Sequence, residues 1–423
     1  MHPNRSTQTN KPIEKPLTRG HLTLLFLLYF SQGLPFGFQA TALPVYLRAN
    51  GVSLTAIGFT GLLALPWALK PIFAPLVDRY FSKGIGKRKS WIIPMQAGLF
   101  LCTLAAAVVV KKADIPVLFA SIFAMNFFAA VQDIAVDGLA VDLLSDRELG
   151  PGNAAQVIGY KAGMVVSGGL LVWLSGKTGW QGQFFIMAAL ILIPLAAATL
   201  FREPFTLSAT ASGQPKATLK AILTRALSAF RHPAMIRLVI FIATYKTGEL
   251  MIDVMFKPFL VDSGFTPSQI GLWVGTYGMA ASLSGSFAGG MLARKYPLRT
   301  MLTAALLCRM IPLFLEWALT IYSPQPIHVI GVTLAEHFFG GMLTTVVFAF
   351  MMASVDKTIG ATHYTLLAGV EVLGKSPGAW ISGPLADTMG YAPVFLTGIA
   401  LSLVPLLIVP GLKAHSPSTS EAT

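Results

Sequence analysis

Thirteen ionisable side chains of this sequence lie within long apolar stretches, where a charge is costly. Seven carboxylates face six bases: Asp133, Asp137, Glu249, Asp253, Glu316, Glu336 and Glu371, against Lys70, Lys161, Lys246, Lys257, Arg309 and Lys375. Each isolated charge costs about 2.5 to 3.5 kcal/mol on insertion scales, so together they would exceed a stability margin of about 5 to 15 kcal/mol. We therefore predict that these groups pair, or line a water-filled cavity where they can bind a charged solute or exchange protons.

Four of these charges share one helix face. Lys246, Glu249, Asp253 and Lys257 are three, four and four residues apart, so they stack on a face that must point into the protein. Two lysines flank Glu249 there. Desolvation favours the neutral form of a carboxyl and nearby ammonium groups favour the charged form, so a group balanced between the two can respond to opening and closing. The sequence therefore favours Glu249 as the carboxylate that couples to a proton gradient.

Further charges lie one or two helical turns apart. Asp133 and Asp137 are one turn apart, and Lys161 in the next apolar stretch is predicted to neutralise one of them. The same spacing argument predicts two pairs within single helices: Glu371 with Lys375, and Arg309 with Glu316.

The candidate binding and coupling residues combine these charges with polar and aromatic side chains that could form cavity walls. They are Glu249, Lys246, Asp253, Lys257, Glu371, Lys375, Glu336, Asp133, Asp137, Lys161, Lys70, Gln32, Gln39, Trp273 and Tyr277. Lys70 has a second interpretation, since its ammonium group could snorkel to the interface. Asp137 and Asp142 could likewise form a latch with Arg79 or Arg147.

Twelve apolar stretches must position these residues. A bilayer core of about 30 Å needs about 20 apolar residues per helix, and hydrophobic residues make up 54% of the 423 residues. The predicted spans, numbered 1 to 12, cover residues 22–47, 54–77, 91–110, 115–141, 152–175, 181–200, 235–261, 268–293, 299–321, 327–353, 363–386 and 391–411. The sequence thus predicts an all-α integral membrane protein.

The net charge of +13 is explained by where the bases lie. Of 31 Lys and Arg residues, 21 fall in the tails, in even-numbered connections or at the span ends that border them, whereas the odd-numbered connections hold four: Arg48, Lys111, Lys112 and Lys177. This positive-inside pattern places both termini in the cytoplasm. The polar N-terminal tail does not resemble a cleaved signal peptide. The basic excess therefore reports topology and excludes a nucleic-acid partner.

Motifs of other functional classes are missing from the sequence. Among seven scattered histidines only His337 adjoins an acid, and no nucleophile motif or phosphate loop is present. Cys102 and Cys308 lie inside apolar spans, where a thiol behaves as a small hydrophobic group. We expect no metal, no cofactor and no enzymatic activity. A membrane-embedded enzyme or a sensor is the alternative from a different class.

The chain repeats itself. The segments 46–58 and 259–271 share Leu47, Gly51, Ile57 and Gly58 at a separation of 213 residues, and Gly179, Phe184 and Pro194 recur 211 residues later. The polar stretch between the repeats is the predicted linker. The predicted domains are a tail (1–20), a six-span half (21–201), a linker (202–234), a second half (235–412) and a tail (413–423).

Small residues recur every four positions in two spans. They are Gly159, Gly163 and Ser167 in span 5, and Ala281, Gly285 and Gly289 in span 8. This spacing lets helices approach closely. Pro35, with Gly33 and Gly37, is expected to break the regular geometry of span 1.

Two six-helix halves with both termini inside resemble the major facilitator superfamily. The loop "PLVDRYFSKGIGKRK" (75–89) is similar to that superfamily's signature at Asp78 and Arg79, and Arg294 holds the position of Asp78 in the second half. The resemblance implies that Asp78, Arg79 and Arg294 belong to cytoplasmic latches. It also implies a monomeric secondary transporter.

Several segments resemble one branch of that superfamily. They are residues 65–80, 132–144, 159–169, 245–249, 338–352 and 361–375. The branch contains AmpG-like muropeptide permeases, siderophore (pyochelin/rhizobactin-type) permeases and acetyl-CoA transporters. Gly138-Leu139 and His363-Tyr364 depart from the muropeptide pattern. The resemblance therefore favours proton-coupled import of a siderophore across the inner membrane, with an anhydromuropeptide or an acetyl-CoA-type solute as alternatives.

Overall fold

The computed structural model describes residues 19–82, 84–111, 114–144, 148–203, 233–354 and 360–412. All regular secondary structure in these ranges is helical, which confirms the predicted all-α class. The terminal tails and residues 204–232 of the predicted linker lie outside the described residues. The domain boundaries therefore stay predictions.

Helical segments fall on all twelve predicted spans. The first half contains α1 (Arg19–Gly37), α2 (Leu43–Ala49), α3 (Leu54–Gly58), α4 (Leu65–Ala68), α5 (Lys70–Arg79), α6 (Lys89–Val110), α7 (Ile115–Leu143), α8 (Leu149–Val165) and α9 (Leu171–Leu200). The second half contains α10 (Pro233–Thr244), α11 (Thr247–Asp262), α12 (Pro267–Ile270), α13 (Met279–Lys295), α14 (Leu298–Ile321), α15 (Pro326–Ser354), α16 (Gly360–Met389) and α17 (Tyr391–Ile408).

Eight helical stretches in the described part of the chain are long and apolar enough to cross a membrane. One of them, Pro151–Leu200, contains both span 5 and span 6. Spans 7, 8 and 11 are not among the eight, and spans 7 and 11 carry Lys246, Glu249, Glu371 and Lys375. Spans 7 and 11 can therefore cross the membrane only if their charges face the protein interior. The number of twelve membrane crossings stays a prediction.

The outer surface matches a lipid environment. Large apolar side chains project from many helices, including Leu200 and Leu407, which are 82% and 83% exposed. A water-soluble protein would not present apolar surface on this scale. The inner faces of the same helices form the three apolar cores of the described residues.

The sequence repeat has a structural counterpart in its glycines. Gly51 and its match Gly264 adopt φ values of 74° and 89°, and Gly179 and its match Gly390 adopt 69° and 80°. Only glycine takes this left-handed conformation readily. All four glycines lie in odd-numbered connections. Ser53 caps the helix that follows Gly51, and Thr266 caps the helix that follows Gly264. The two repeats thus turn the chain in the same way.

Several spans depart from regular α-helix. π-helical segments occupy Phe38–Ala42 in span 1, Val166–Leu170 in span 5 and Gly271–Gly278 in span 8. The first of these follows Pro35, as expected from the proline and its flanking glycines. A turn at Tyr245–Lys246 separates α10 from α11, so span 7 is not one continuous helix.

Close packing within and between the halves depends on the predicted small residues. A Cβ at Gly163 would overlap the backbone of span 1, and one at Gly285 would overlap the backbone of span 10. The halves meet where span 1 packs on span 7, span 2 on span 11, and span 5 on span 8. The last two contacts are equivalent under exchange of the repeats.

Candidate functional site

Two carboxylates of span 4 are satisfied from neighbouring helices. The Lys70 ammonium group forms an ion pair with Asp133, and the Tyr29 hydroxyl donates to Asp137 Oδ1 at 2.6 Å. The prediction that Lys161 neutralises one of these carboxylates is wrong, because Lys70 at the start of α5 reaches Asp133 instead. Lys70 therefore pairs inside the protein and does not snorkel.

A chain of amide hydrogen bonds extends this polar region through the first half. Trp67 Nε1 donates to Asn126 Oδ1 at 3.0 Å, and Asn126 Nδ2 donates to Gln39 Oε1 at 2.6 Å. Gln39 in turn donates to the carbonyl of Thr60 at 3.1 Å. Gln39 is thus tied into the packed half. Gln32 is fully buried, and neither of its side-chain polar atoms has a protein partner among the described residues.

Three lysines meet where the two halves join, and we call them, with Glu371, the basic junction. Lys375 Nζ lies 2.9 and 3.0 Å from the two oxygens of Glu371, which confirms the predicted pair. Lys246 lies close enough to Lys161 and to Lys375 to repel both electrostatically. Glu371 pairs with Lys375, and the more distant Glu249 is held by Arg309, so the junction has a surplus of positive charge.

Local structure explains how these lysines converge. Lys246 lies in the turn that precedes α11, so its side chain is not held in the helical stack that the spacing predicted. Lys161 belongs to α8 of the first half, yet its Nζ lies 3.8 Å from Met279 Sδ of span 8. The Lys375 side chain is 25% exposed, and Glu371 is 6% exposed. The three lysines are therefore partly exposed, whereas Glu371 is buried.

A second charged group, the acidic cluster, fills the interior of the second half. Arg309 Nε lies 3.0 Å from Glu249 Oε2, and the same guanidinium pairs with Glu336, whose other oxygen pairs with His337. Asp253 and Lys257 pair at 2.5 Å within α11. Glu316 completes the cluster of Glu249, Asp253, Lys257, Arg309, Glu316, Glu336 and His337.

The predicted pair of Arg309 with Glu316 is wrong. The two residues are seven positions apart on α14, and Arg309 instead spans the gap to α11 and α15. Glu316 is 2% exposed and its Oε2 has no hydrogen-bond partner among the described residues. Spacing along one helix could not reveal that two other helices supply the partners of Arg309.

One group of contacts between the halves was missed by sequence reasoning. Arg48 binds Asp262 through Nε and Nη2 at 2.7 and 2.6 Å, and the Tyr391 hydroxyl donates to the same carboxylate at 2.6 Å. Asp387 accepts from the backbone N–H groups of Leu54 and Thr55 at 3.1 and 2.8 Å. These contacts tie spans 1 and 2 to spans 7, 11 and 12 beside odd-numbered connections, where charges are scarce in the sequence.

Among the described residues, Arg79 and Arg294 of the predicted cytoplasmic latches show no such contact between halves. Arg79 and Arg294 are exposed, and the side chain of Asp78 and all of Arg147 lie outside the described residues. Asp142 pairs with Arg88 at 2.8 Å within the first half, and its predicted latch with Arg79 or Arg147 stays a prediction because Arg147 is not described. The latch role of Asp78, Arg79 and Arg294 stays a prediction.

The two aromatic candidates of span 8 differ in position. Trp273 is 7% exposed and packs edge-on against Phe265, with ring centres 5.4 Å apart. Tyr277 is 41% exposed. Tyr277 is therefore exposed, whereas Trp273 belongs to the core. In the described ranges, no three His, Cys, Asp or Glu side chains are grouped to hold a metal ion.

Comparison with known sequences places the chain among transporters. A family model for acetyl-coenzyme A transporter 1 matches residues 21–180. The anhydromuropeptide permease of Escherichia coli K12 is 28% identical over 388 residues, which cover 91% of this chain and 78% of the permease. The putative transporter AmpG 4 of Rickettsia felis is 25% identical over 396 residues, covering 91% of this chain and 94% of that protein.

Comparison with solved structures identifies the fold. A point mutant of the nucleoside transporter NupG superposes with a TM-score of 0.73 at 16% identity, covering 93% of this chain and all of NupG. A bacterial homologue of the human lysosomal transporter Spinster, solved facing inward, gives a TM-score of 0.74 at 15% identity, covering 95% of this chain and all of that one. The solved structures confirm the predicted major facilitator fold, and the sequence relatives confirm the resemblance to the AmpG-like branch.

Proposed function

We propose that this membrane transporter, which has the major facilitator fold and relatives among the anhydromuropeptide permeases, imports a bulky anionic solute of the anhydromuropeptide class. The main observation that supports this proposal is the surplus of positive charge at the basic junction. Lys161, Lys246 and Lys375 meet there with Glu371 as the partner of Lys375. Buried charges are normally paired, so partly exposed lysines that outnumber the carboxylates paired with them are suited to an anionic ligand.

The location of the junction fits a substrate site. Transporters of this fold bind solutes near the midplane, at the interface between repeats. Lys161 comes from the first half, whereas Lys246 and Lys375 come from the second, so a bound anion would contact both. A solute that bridges the halves in this way can be released when the halves move apart.

Aromatic side chains on spans 5 and 8, which also carry Lys161 and its neighbour Met279, fit the sugar part of such a solute. Tyr160 directly precedes Lys161, and its ring lies 6.4 Å from that of Trp67 and 5.9 Å from that of Phe36. Tyr277 adds an exposed ring from span 8. An anhydromuropeptide combines a sugar with peptide carboxylates, so it can use both the aromatic wall and the lysines.

The favoured solute class changes from the siderophore, which the sequence favoured, to the anhydromuropeptide. The siderophore preference depended on departures from the muropeptide pattern at residues 138–139 and 363–364. The side chains at 363–364 lie outside the described part of the chain. The E. coli relative, which aligns with 91% of this chain, is an anhydromuropeptide permease. We therefore rank the anhydromuropeptide first, with siderophore and acetyl-CoA-type solutes as the competitors.

The remaining parts of the proposal extend the sequence analysis. The protein would act as a monomer in the inner membrane with both termini in the cytoplasm, and proton flow would drive import. The proposal assigns it no enzymatic activity. Glu249 is held by Arg309, and its role in coupling stays a prediction.

Uptake by cells that lack this gene tests the proposed solute. Three labelled compounds are compared: an anhydromuropeptide, a ferric siderophore and acetyl-CoA. We expect that the plasmid-borne gene restores accumulation of the anhydromuropeptide alone. Accumulation of the siderophore instead would return the assignment to the one that the sequence favoured.

A further inference from the structure

The acidic cluster of the second half contains more negative than positive charge. Its four carboxylates belong to Glu249, Asp253, Glu316 and Glu336, while Arg309 and Lys257 are its permanent cations. Fully ionised, the cluster would hold two unbalanced negative charges in a region where Arg309, Glu316 and Glu336 are each at most 8% exposed. Such an excess is strongly unfavourable in a low-dielectric interior, and protonation relieves it.

The geometry indicates which carboxyl holds a proton. Arg309 contacts Glu249 and one oxygen of Glu336, His337 contacts the other oxygen of Glu336, and Lys257 contacts Asp253. Each of these three carboxylates therefore has a basic group within ion-pair distance. Glu316 differs from them, because its buried Oε2 has no hydrogen-bond partner among the described residues.

Charged side chains on three helices, α11, α14 and α15, surround Glu316. Arg309 lies on its own helix α14, Glu336 and His337 on α15, and Asp253 and Lys257 on α11, where Glu249 also lies. Helix α17 also packs against α14, and from Ala392 to Ile408 it contains no ionisable residue. The neighbours thus include three acids and two permanent cations.

We propose that Glu316, in place of the Glu249 that the sequence favoured, is the proton-binding site whose proton is coupled to solute movement. This inference rests on the proposed transport function. A metal ion is the less suitable ligand, because the described residues include no group of three side chains placed to hold one. The binding step is simple: a proton from water forms the O–H bond of the Glu316 carboxyl, and release breaks that bond and returns the proton to water.

The connection to the solute runs through Arg309 and Glu249. Loss of the Glu316 proton adds a negative charge near Arg309, which already divides its guanidinium between α11 and α15. Glu249 is also close enough to Lys375 to attract it. Deprotonation of Glu316 therefore changes the pull of Arg309 on Glu249, and with it the charge available at the basic junction.

Infrared spectroscopy of the full-length protein in lipid tests where the proton is held. A protonated carboxyl gives a C=O stretching band distinct from that of a carboxylate. We expect Glu316→Gln to remove such a band at neutral pH, whereas the matched variant Glu249→Gln retains it. A band that survives in Glu316→Gln and disappears in Glu249→Gln would overturn the assignment. If Glu316→Gln does not fold, Glu316→Asp must shift the band, and an unshifted band overturns the proposal equally.

Transport by the purified protein in vesicles tests coupling. With labelled anhydromuropeptide, Glu316→Gln should exchange solute across the membrane but lose accumulation driven by a pH gradient, and Glu316→Asp should restore it. Continued uphill accumulation by Glu316→Gln would refute the coupling role. Failure of the wild type to carry anhydromuropeptide would refute the proposed solute instead, and the infrared result would still decide whether Glu316 holds a proton.

Discussion

At the scale of single residues, the Lys375–Glu371 pair is the most informative point of the basic junction. Both oxygens of Glu371 lie within 3.0 Å of Lys375 Nζ, and the Tyr245 hydroxyl donates to the same carboxylate at 3.3 Å. The pair admits two roles. Lys375 either neutralises Glu371 only, or also binds a carboxylate of the solute with its exposed side.

Substitution of one and then both residues separates these roles. Removing both charges leaves no orphan, so Glu371→Gln with Lys375→Gln should fold about as well as the wild type. A lost charge-assisted hydrogen bond costs about 1.5 to 3 kcal/mol, so the double variant should bind the solute at least about tenfold more weakly. Solute binding and thermal unfolding are measured in parallel.

The single variants provide the control for this experiment. Glu371→Gln leaves Lys375 charged and Lys375→Gln leaves Glu371 charged, so each should unfold at a lower temperature than the double variant. Recovery of full binding in the double variant, with both single variants inactive, would assign the pair a purely structural role and remove Lys375 from the binding site.

Residue pairs within one helix could be predicted from the sequence, whereas pairs between helices could not. The spacing of four residues gave Glu371–Lys375, and the same spacing lies behind Asp253–Lys257. Arg309 has carboxylates on two other helices, and Lys70 reaches Asp133 across 63 positions. Such contacts depend on how helices are arranged, and one sequence gives no measure of that.

At the scale of helices, the contact of span 5 with span 8 joins the two halves through their π-helical segments. Gly168 and Gly169 of span 5 face Gly275 of span 8, and a Cβ at Gly275 would overlap the backbone of both. π-Helical segments are frequent at functional sites. This contact lies within the same two spans as Lys161 and Met279, so it sets the spacing of the halves at the basic junction.

A methyl group at Gly275 should therefore separate the halves. Overpacking costs about 1 to 3 kcal/mol, so Gly275→Ala should lower the unfolding temperature of the purified protein and reduce transport. Gly290→Ala is the matched control on the same span, because the nearest atom to its Cβ would be Thr345 Cγ2 at an ordinary 3.8 Å. Equal stability of the two variants would show that the contact is not tight.

The spans themselves were predictable because a long apolar stretch is a strong signal. The spacing of small residues also predicted the close contacts of Gly163 and Gly285. The irregular segments could not be predicted. The turn at Lys246 contains no proline and no glycine, so the sequence suggested an unbroken helix through span 7. π-Helical segments likewise leave the apolar pattern almost unchanged and depend on packing between helices.

At the scale of the whole molecule, the polar contacts between halves concentrate at one end. Among the described residues, Arg48 with Asp262 and Asp387 with Thr55 lie beside odd-numbered connections, whereas Arg79 and Arg294 at the opposite end are exposed. If both termini are cytoplasmic, the end closed by these contacts faces away from the cytoplasm.

The orientation is testable with reporter fusions placed after Arg19 and after Lys413. The partition of bases between even and odd connections predicts that both reporters are cytoplasmic. A fusion within the Gly51 turn serves as the control and should report the opposite side. Opposite results for the two termini would mean an odd number of crossings and would contradict the twelve predicted spans.

Recognition of anionic solute by the basic junction is most directly tested by exchange in vesicles that contain the purified protein. Labelled anhydromuropeptide is compared with a derivative whose peptide carboxylates are amidated, for the wild type and for Lys246→Gln. We predict that the wild type exchanges the free acid at least about tenfold faster than the amide, since about 1.4 kcal/mol of lost ion pairing suffices for that ratio, and that Lys246→Gln reduces this preference. Equal exchange of the two compounds by the wild type would contradict the assignment.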